Sequence, residues 1–199
     1  MKKQIITIHG GDTFEKYEDY ITDLKNKTVT LEKLRAKDWK SNLQNYLGED
    51  YEVILLRMPN PSNAKYVERK IMFDKIVSLL DDEAIFIGHS LGGIFLVKYL
   101  SEENCPKKIK AVFIVAAPYK TGSEWRGDAD FILPQDFKEF SYQVPCIFIY
   151  HSKDDPVVPF SDCLNYQKAL PKAQVKIFED RQHFNRESFP EIVEDIKLL

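Results

Sequence analysis

Gly88-His89-Ser90-Leu91-Gly92 fits G-x-S-x-G, the pattern of a nucleophile elbow. Ala84-Ile85-Phe86-Ile87 before it is an apolar, β-favouring run, and from Ile94 to Leu100 the apolar residues recur at helical spacing. A strand that turns at once into a helix forces its apical residue into a strained backbone and lifts that side chain out of the turn. Glycines two positions to either side remove the side chains that would collide with strand and helix. Ser90 would then present its hydroxyl above a sheet, over the positive end of the new helix. A serine hydroxyl is a poor nucleophile at neutral pH, so attack on an acyl carbon needs a base and an acid to orient it. Without them these residues are a tight turn with a solvated cap.

Four histidines could act as the base. His9 and His89 sit in turns whose backbone limits their reach, and their expected role is to fill space and bond nearby main chain. His151 ends a strand beside an acidic loop. His183 lies in a flexible loop after the last strand, where its ring could swing over Ser90 as general base, then general acid. Asp154 and Asp155 follow the fifth strand; one is expected to orient the imidazole, the other to serve the turn before Pro156. Asp180 is too near His183 in the chain to face its ring, and Asp128 and Asp130 fall in a separate loop.

The elements that must position these groups read as alternating strands and helices. Strands are expected at Gln4–His9, Tyr51–Met58, Ala84–Ile87, Ile109–Ala116, Pro145–Tyr150 and Gln174–Phe178. Between the first two, Phe14, Tyr17, Ile21 and Leu24 share one helical face, and Leu31, Leu34, Trp39, Leu43 and Leu47 form a second run ending at Gly48. Ser62 or Asn63 is expected to cap a helix whose contacts come from Tyr66, Ile71, Ile76, Leu79 and Leu80. Ser188-Phe189-Pro190-Glu191 reads as a capping box for the last helix. Strands this apolar indicate a parallel sheet covered on both faces, with ligands bound beyond the carboxyl ends of its strands. Gly11, Ser90, Asp155 and His183 all fall just after expected strands, hence at that one edge. Segments 13–30 and 119–135, the latter with Trp125, are candidate lids over it, or simple surface packing.

Composition removes several other classes. The chain has 199 residues, enough for one domain with a substantial core, and is 44% apolar and 30% charged. A net charge of −3 gives no basic footprint for nucleic acid and no polybasic membrane anchor. Apolar runs are strand-length, so no membrane span is expected. Met1-Lys2-Lys3 and Ile5-Ile6 make too short a start for a secretory leader, interrupted by His9-Gly10-Gly11. Three cysteines without C-x-x-C spacing indicate neither disulfides nor zinc, and suit a reducing, cytoplasmic setting. Neither G-x-G-x-x-G nor a phosphate loop is present, which disfavours a flavodoxin-like nucleotide binder.

These residues carry a family resemblance. His9-Gly10-Gly11, Gly88 to Gly93, Ser152-Lys153-Asp154-Asp155-Pro156-Val157-Val158-Pro159 and His183-Phe184-Asn185 resemble the α/β-hydrolases. More narrowly, with Met58-Pro59-Asn60-Pro61, they resemble the small serine hydrolases related to retinoblastoma-binding protein 9. The resemblance runs over nearly the whole chain and implies a three-layer αβα fold with strand order 2-1-3-4-5-6. It aligns Asp155 with the family's acid in G-x-x-D-x-x-V-P, with Ser152 in the glycine's place, and so implies a triad of Ser90, Asp155 and His183. Leu91, after the nucleophile, offers one oxyanion N–H, and the resemblance implies Gly11 as the other. The implied activity is hydrolysis of small esters or thioesters through an acyl-serine, with no cofactor and no metal. The alternatives are acyl transfer by the same triad, or a catalytically silent binding module on this scaffold. The L-x-C-x-E peptide that binds retinoblastoma protein is absent, so that partner is not expected.

Overall fold

A computed structural model describes residues 2–120 and 129–199. Six strands, β1 (Lys3–Ile8), β2 (Tyr51–Leu56), β3 (Ala84–His89), β4 (Ile109–Val115), β5 (Ile147–Ser152) and β6 (Gln174–Phe178), form one sheet in the order 2-1-3-4-5-6. Every neighbouring pair is parallel. Side chains alternate across the sheet. Ile6, Ile8, Phe86, Val112 and Ile114 face one layer, built on helices α4 (Tyr66–Val77), α5 (Leu91–Glu102), α6 (Lys138–Gln143) and α7 (Phe160–Ala169). Ile5, Ile85, Ile87, Phe113 and Tyr150 face the other, built on α3 (Trp39–Leu47) and α8 (Pro190–Lys197). This is the three-layer arrangement expected from the sequence.

The register brings the strand ends level: Ile8 pairs with both Leu56 and Gly88, His89 with Val115, and Ser152 with Phe178. The loops after β1, β3, β5 and β6 therefore emerge at one edge, where the chain reverses direction about β1.

Helical phase differs from expectation in three places. The run from Leu31 to Leu47 is two helices, α2 (Leu31–Arg35) and α3. Trp39, Leu43 and Leu47 of α3 are buried at i, i+4, i+8, whereas Leu31 and Leu34 stay exposed. Helix α1 (Tyr17–Asn26) likewise buries none of its residues. In α4 the inward stripe is Arg69, Phe73 and Val77. Of the expected contacts, Tyr66 and Ile76 pack half-buried against the core and Leu80 is buried just beyond the helix, whereas Ile71 and Leu79 are exposed.

Neither expected cap forms. The residue preceding α4 is Lys65, and Asn63 Oδ1 accepts instead from Phe14 N–H at 3.1 Å. Phe189 precedes α8, and Glu191 turns to Arg181 rather than back to Ser188. Within the second candidate lid, 121–128, including Trp125, lie outside the described residues.

Candidate active site

Ser90 sits between β3 and α5 with φ 55° and ψ −123°, a conformation that L side chains rarely adopt. Its N–H continues the sheet by donating to Val115 O at 2.8 Å, while its carbonyl accepts from Gly93 N–H at 2.8 Å. The turn closes so tightly that a Cβ on Gly88 would stand 2.5 Å from Gly92 O, and one on Gly92 would overlap Ile8 O. The flanking glycines are thus required by close approach of strand to helix, as expected, and also of helix to β1.

Asp155 and His183 come together across 28 residues. His183 Nδ1 lies 2.8 Å from Asp155 Oδ2 and 3.1 Å from Oδ1, and the carboxylate side chain is wholly buried. A carboxylate only accepts, so Nδ1 carries a proton, and in the neutral ring Nε2 keeps a free lone pair. Burial works to raise the Asp155 pKa. Hydrogen bonds from His183 and from Val158 and Val157 N–H outweigh it and hold the group below the ordinary carboxylate value. Asp154 does not face the ring; its Oδ1 accepts from Ser152 Oγ at 2.5 Å and from Gln182 N–H at 2.8 Å.

The His183 loop is pinned rather than free to swing. Arg181 N–H donates to Ser152 Oγ, Trp39 Nε1–H to Phe184 O, and His89 Nε2–H to His183 O. Gln182 and Phe184, on either side of His183, hold positive φ angles of 50° and 54°. His89 and His183 stand ring to ring, with centroids 5.0 Å apart.

Ser90 and His183 border one cleft of about 510 Å³, shared with His9, Lys40 and Asn185. No hydrogen bond joins the two side chains among the described residues. Catalytic hydrogen bonds in ligand-free sites are commonly long and tighten around substrate. A smaller cavity of about 200 Å³ meets Ser90 from the other side, lined by Gly11, Phe14, Leu91, Pro118 and Val158. Leu91 opens α5, and first-turn N–H groups have no partner within the helix. Gly11, with φ 157°, borders both cavities. Among the described residues no three His, Cys, Asp or Glu side chains gather in a group that could hold a metal ion.

The remaining histidines bond main chain. His9 Nδ1–H donates to Gly10 O at 2.6 Å while its Nε2 accepts from Met58 N–H at 3.0 Å. His151 Nε2–H donates to Val158 O at 3.1 Å, steadying the loop that carries Asp155.

Comparison with known proteins bears on the same residues. Residues 31–196 match the family described as serine hydrolase, a span containing Ser90, Asp155 and His183. The chain belongs to this serine hydrolase family. It is 26% identical over 153 residues to serine hydrolase RBBP9 of Rattus norvegicus, covering 75% of this chain and 78% of that one. The fold is that of the α/β-hydrolases. The ydeN gene product of B. subtilis superposes with TM-score 0.77 at 18% identity, over 99% of this chain and 98% of that one. A lipase-esterase related protein from Clostridium acetobutylicum superposes with TM-score 0.61 at 14% identity, over 98% and 93%. Membership supports hydrolase activity, and no helix of the described residues is long and apolar enough to cross a membrane.

Arg69 is the residue of this region that sequence reasoning missed. It borders the β1 loop from α4 and is fully buried, although charged. Its one signal was spacing, four and eight positions before Phe73 and Val77.

Proposed function

We propose that this serine hydrolase cleaves carboxylic esters or thioesters of small substrates through an acyl-Ser90 intermediate, with His183 as general base and Asp155 as its orienting acid. The observation that carries the reading is the Asp155–His183 hydrogen bond of 2.8 Å at the cleft that Ser90 also borders. Ser90 Oγ bonds to the carbonyl carbon as its proton passes to His183 Nε2 and the C=O π pair moves to oxygen. Leu91 and Gly11 N–H receive that oxyanion, each donor contributing about 3 kcal/mol of transition-state stabilisation. Collapse breaks the bond to the alkoxide or thiolate, which leaves with the proton from His183. Water, giving its proton to His183, then adds to the acyl carbon. Collapse breaks the bond to Ser90 Oγ, which takes the proton back from His183 as the acid departs.

Helix α1 serves as a cover over this edge: Phe14, just before it, and Asp23 within it line the smaller cavity. The odd cysteine count, all three free, suits work in a reducing cytoplasm. A fluorophosphonate probe and a panel of p-nitrophenyl esters of rising chain length test the reading. Labelling and turnover should vanish in Ser90→Ala and turnover in His183→Ala; labelling that persists in Ser90→Ala, or full activity in His183→Ala, overturns it.

A further inference from the structure

The loop after β1 is held from one side by the segment that leads from β2 into α4. Pro61 O accepts from Asp12 N–H at 2.9 Å, Asp12 O from Ala64 N–H at 2.8 Å, and Phe14 O from Lys65 Nζ at 2.7 Å. At the centre of this cradle lies Arg69. Its Nη1 donates to His9 O at 3.2 Å and its Nη2 to Gly10 O at 2.9 Å. Gly10 O also receives His9 Nδ1–H, so two donors fix one carbonyl. No acceptor for the Gly11 N–H appears among the described residues.

No peptide bond among the described residues is cis. In a trans peptide the carbonyl and the following N–H point to opposite sides. With Gly10 O drawn to Arg69 and His9, the Gly11 N–H is turned away from both. Gly10 itself packs against the nucleophile: a Cβ on it would stand 3.0 Å from Ser90 Cβ.

We infer that Arg69 is a positioning residue for acyl chemistry: by gripping the His9 and Gly10 carbonyls it orients the Gly11 N–H for the oxyanion. The inference rests on the Ser90 reading above and goes beyond it in naming what holds the second donor in place. Stability alone gives little reason for this side chain. A guanidinium taken wholly out of water is costly unless paired, yet among the described residues no carboxylate pairs with Arg69 and its Nε has no hydrogen-bond partner. A planar fork that can grip two carbonyls at once suits arginine and not lysine. Space is tight as well, since a Cβ on Gly11 would lie 2.8 Å from Arg69 Nη2 and 2.6 Å from Pro61 O.

The test compares Arg69→Met and Arg69→Lys with wild type, using a p-nitrophenyl ester and an alkyl trifluoromethyl ketone. Ser90 Oγ adds to the ketone's carbonyl carbon as its proton passes to His183 and the C=O π pair moves to oxygen, giving a hemiketal oxyanion that reports the donors without a leaving group. In Arg69→Met, kcat should fall about a hundredfold, as on losing one oxyanion donor, with KM within about threefold. Ketone affinity should weaken in step with kcat, which general loosening of the fold would not produce. Arg69→Lys keeps the charge and loses the fork, and should fall between the two. Wild-type kcat and ketone affinity in Arg69→Met overturn the inference, as does Arg69→Lys at wild-type rate, which would leave only a role for charge. If Arg69→Met does not fold, Arg69→Lys decides by the same two measurements. A wild type that the ketone leaves uninhibited, or an active Ser90→Ala, instead overturns the underlying Ser90 reading.

Discussion

His89 Nε2 donates to the backbone oxygen of His183 at 2.8 Å, so the residue before Ser90 holds the loop that carries the proposed base. A carbonyl only accepts, which places the proton on Nε2 and leaves Nδ1 to accept from Lys40 Nζ at 3.4 Å. Removing this donor in His89→Leu should cost about 1–3 kcal/mol, because it strands a buried carbonyl. It should also lower kcat by about ten- to a hundredfold through misplacement of His183. His89→Gln, whose amide can donate from a similar position, should recover most of both. Urea denaturation and ester hydrolysis on the three proteins measure this; an active, fully stable His89→Leu would contradict it.

Strain at the elbow gives a second expectation. Ser90 keeps φ 55° with a Cβ present, and such positions cost about 1–3 kcal/mol. Ser90→Gly should relieve part of this, offset by the greater freedom of glycine in the unfolded chain, for a net gain of about 1 kcal/mol. Ser90→Ala keeps the Cβ and should be nearly neutral in stability. Both should be inactive. Equal melting temperatures for the two variants would show that the strain relieved is no larger than the cost of glycine's freedom in the unfolded chain.

The two adjacent aspartates should separate cleanly. Asp155→Asn replaces the acceptor beside His183 Nδ1 and should lower kcat by about 10³- to 10⁴-fold, KM changing little. Asp154→Asn keeps an oxygen for Ser152 Oγ and Gln182 N–H, so kcat should stay within about threefold. Steady-state kinetics with one p-nitrophenyl ester suffices. The reverse pattern would move the acid role to Asp154.

Much of this arrangement was legible in the chain because it rests on steric necessity. Gly88 and Gly92 admit no Cβ, and six apolar runs have few options but a buried parallel sheet. What escaped depends on partners distant in sequence. Tyr66, Val67, Ile71, Met72, Phe73, Ile76 and Val77 surround α4 with apolar groups, so periodicity left its phase open, and a buried arginine was the last residue to expect inside. Ser188 and Glu191 spell a capping box, yet Glu191 finds Arg181 instead. The hold on His183 comes from Trp39, Ser152 and His89, three elements that no local reading connects.

Buried histidines should make stability fall on acidification. Desolvation first, with the charges of Lys40 and His183, holds the His89 pKa well below 6.5. Burial likewise lowers His151, against the opposing pull of its bond to Val158 and of Asp155 and Asp162. His9 is shifted the same way, chiefly by burial. These rings stay neutral in the folded protein while the unfolded chain takes up protons below about pH 6.5. The unfolded state then binds more protons, so stability rises with pH there and is lost as pH falls. His89 and His151 should each contribute up to about 1.4 kcal/mol per pH unit below that point. Urea midpoints from pH 8 to pH 5 give the slope, which should lessen in His89→Gln; a flat profile in wild type would mean that these rings are charged when folded.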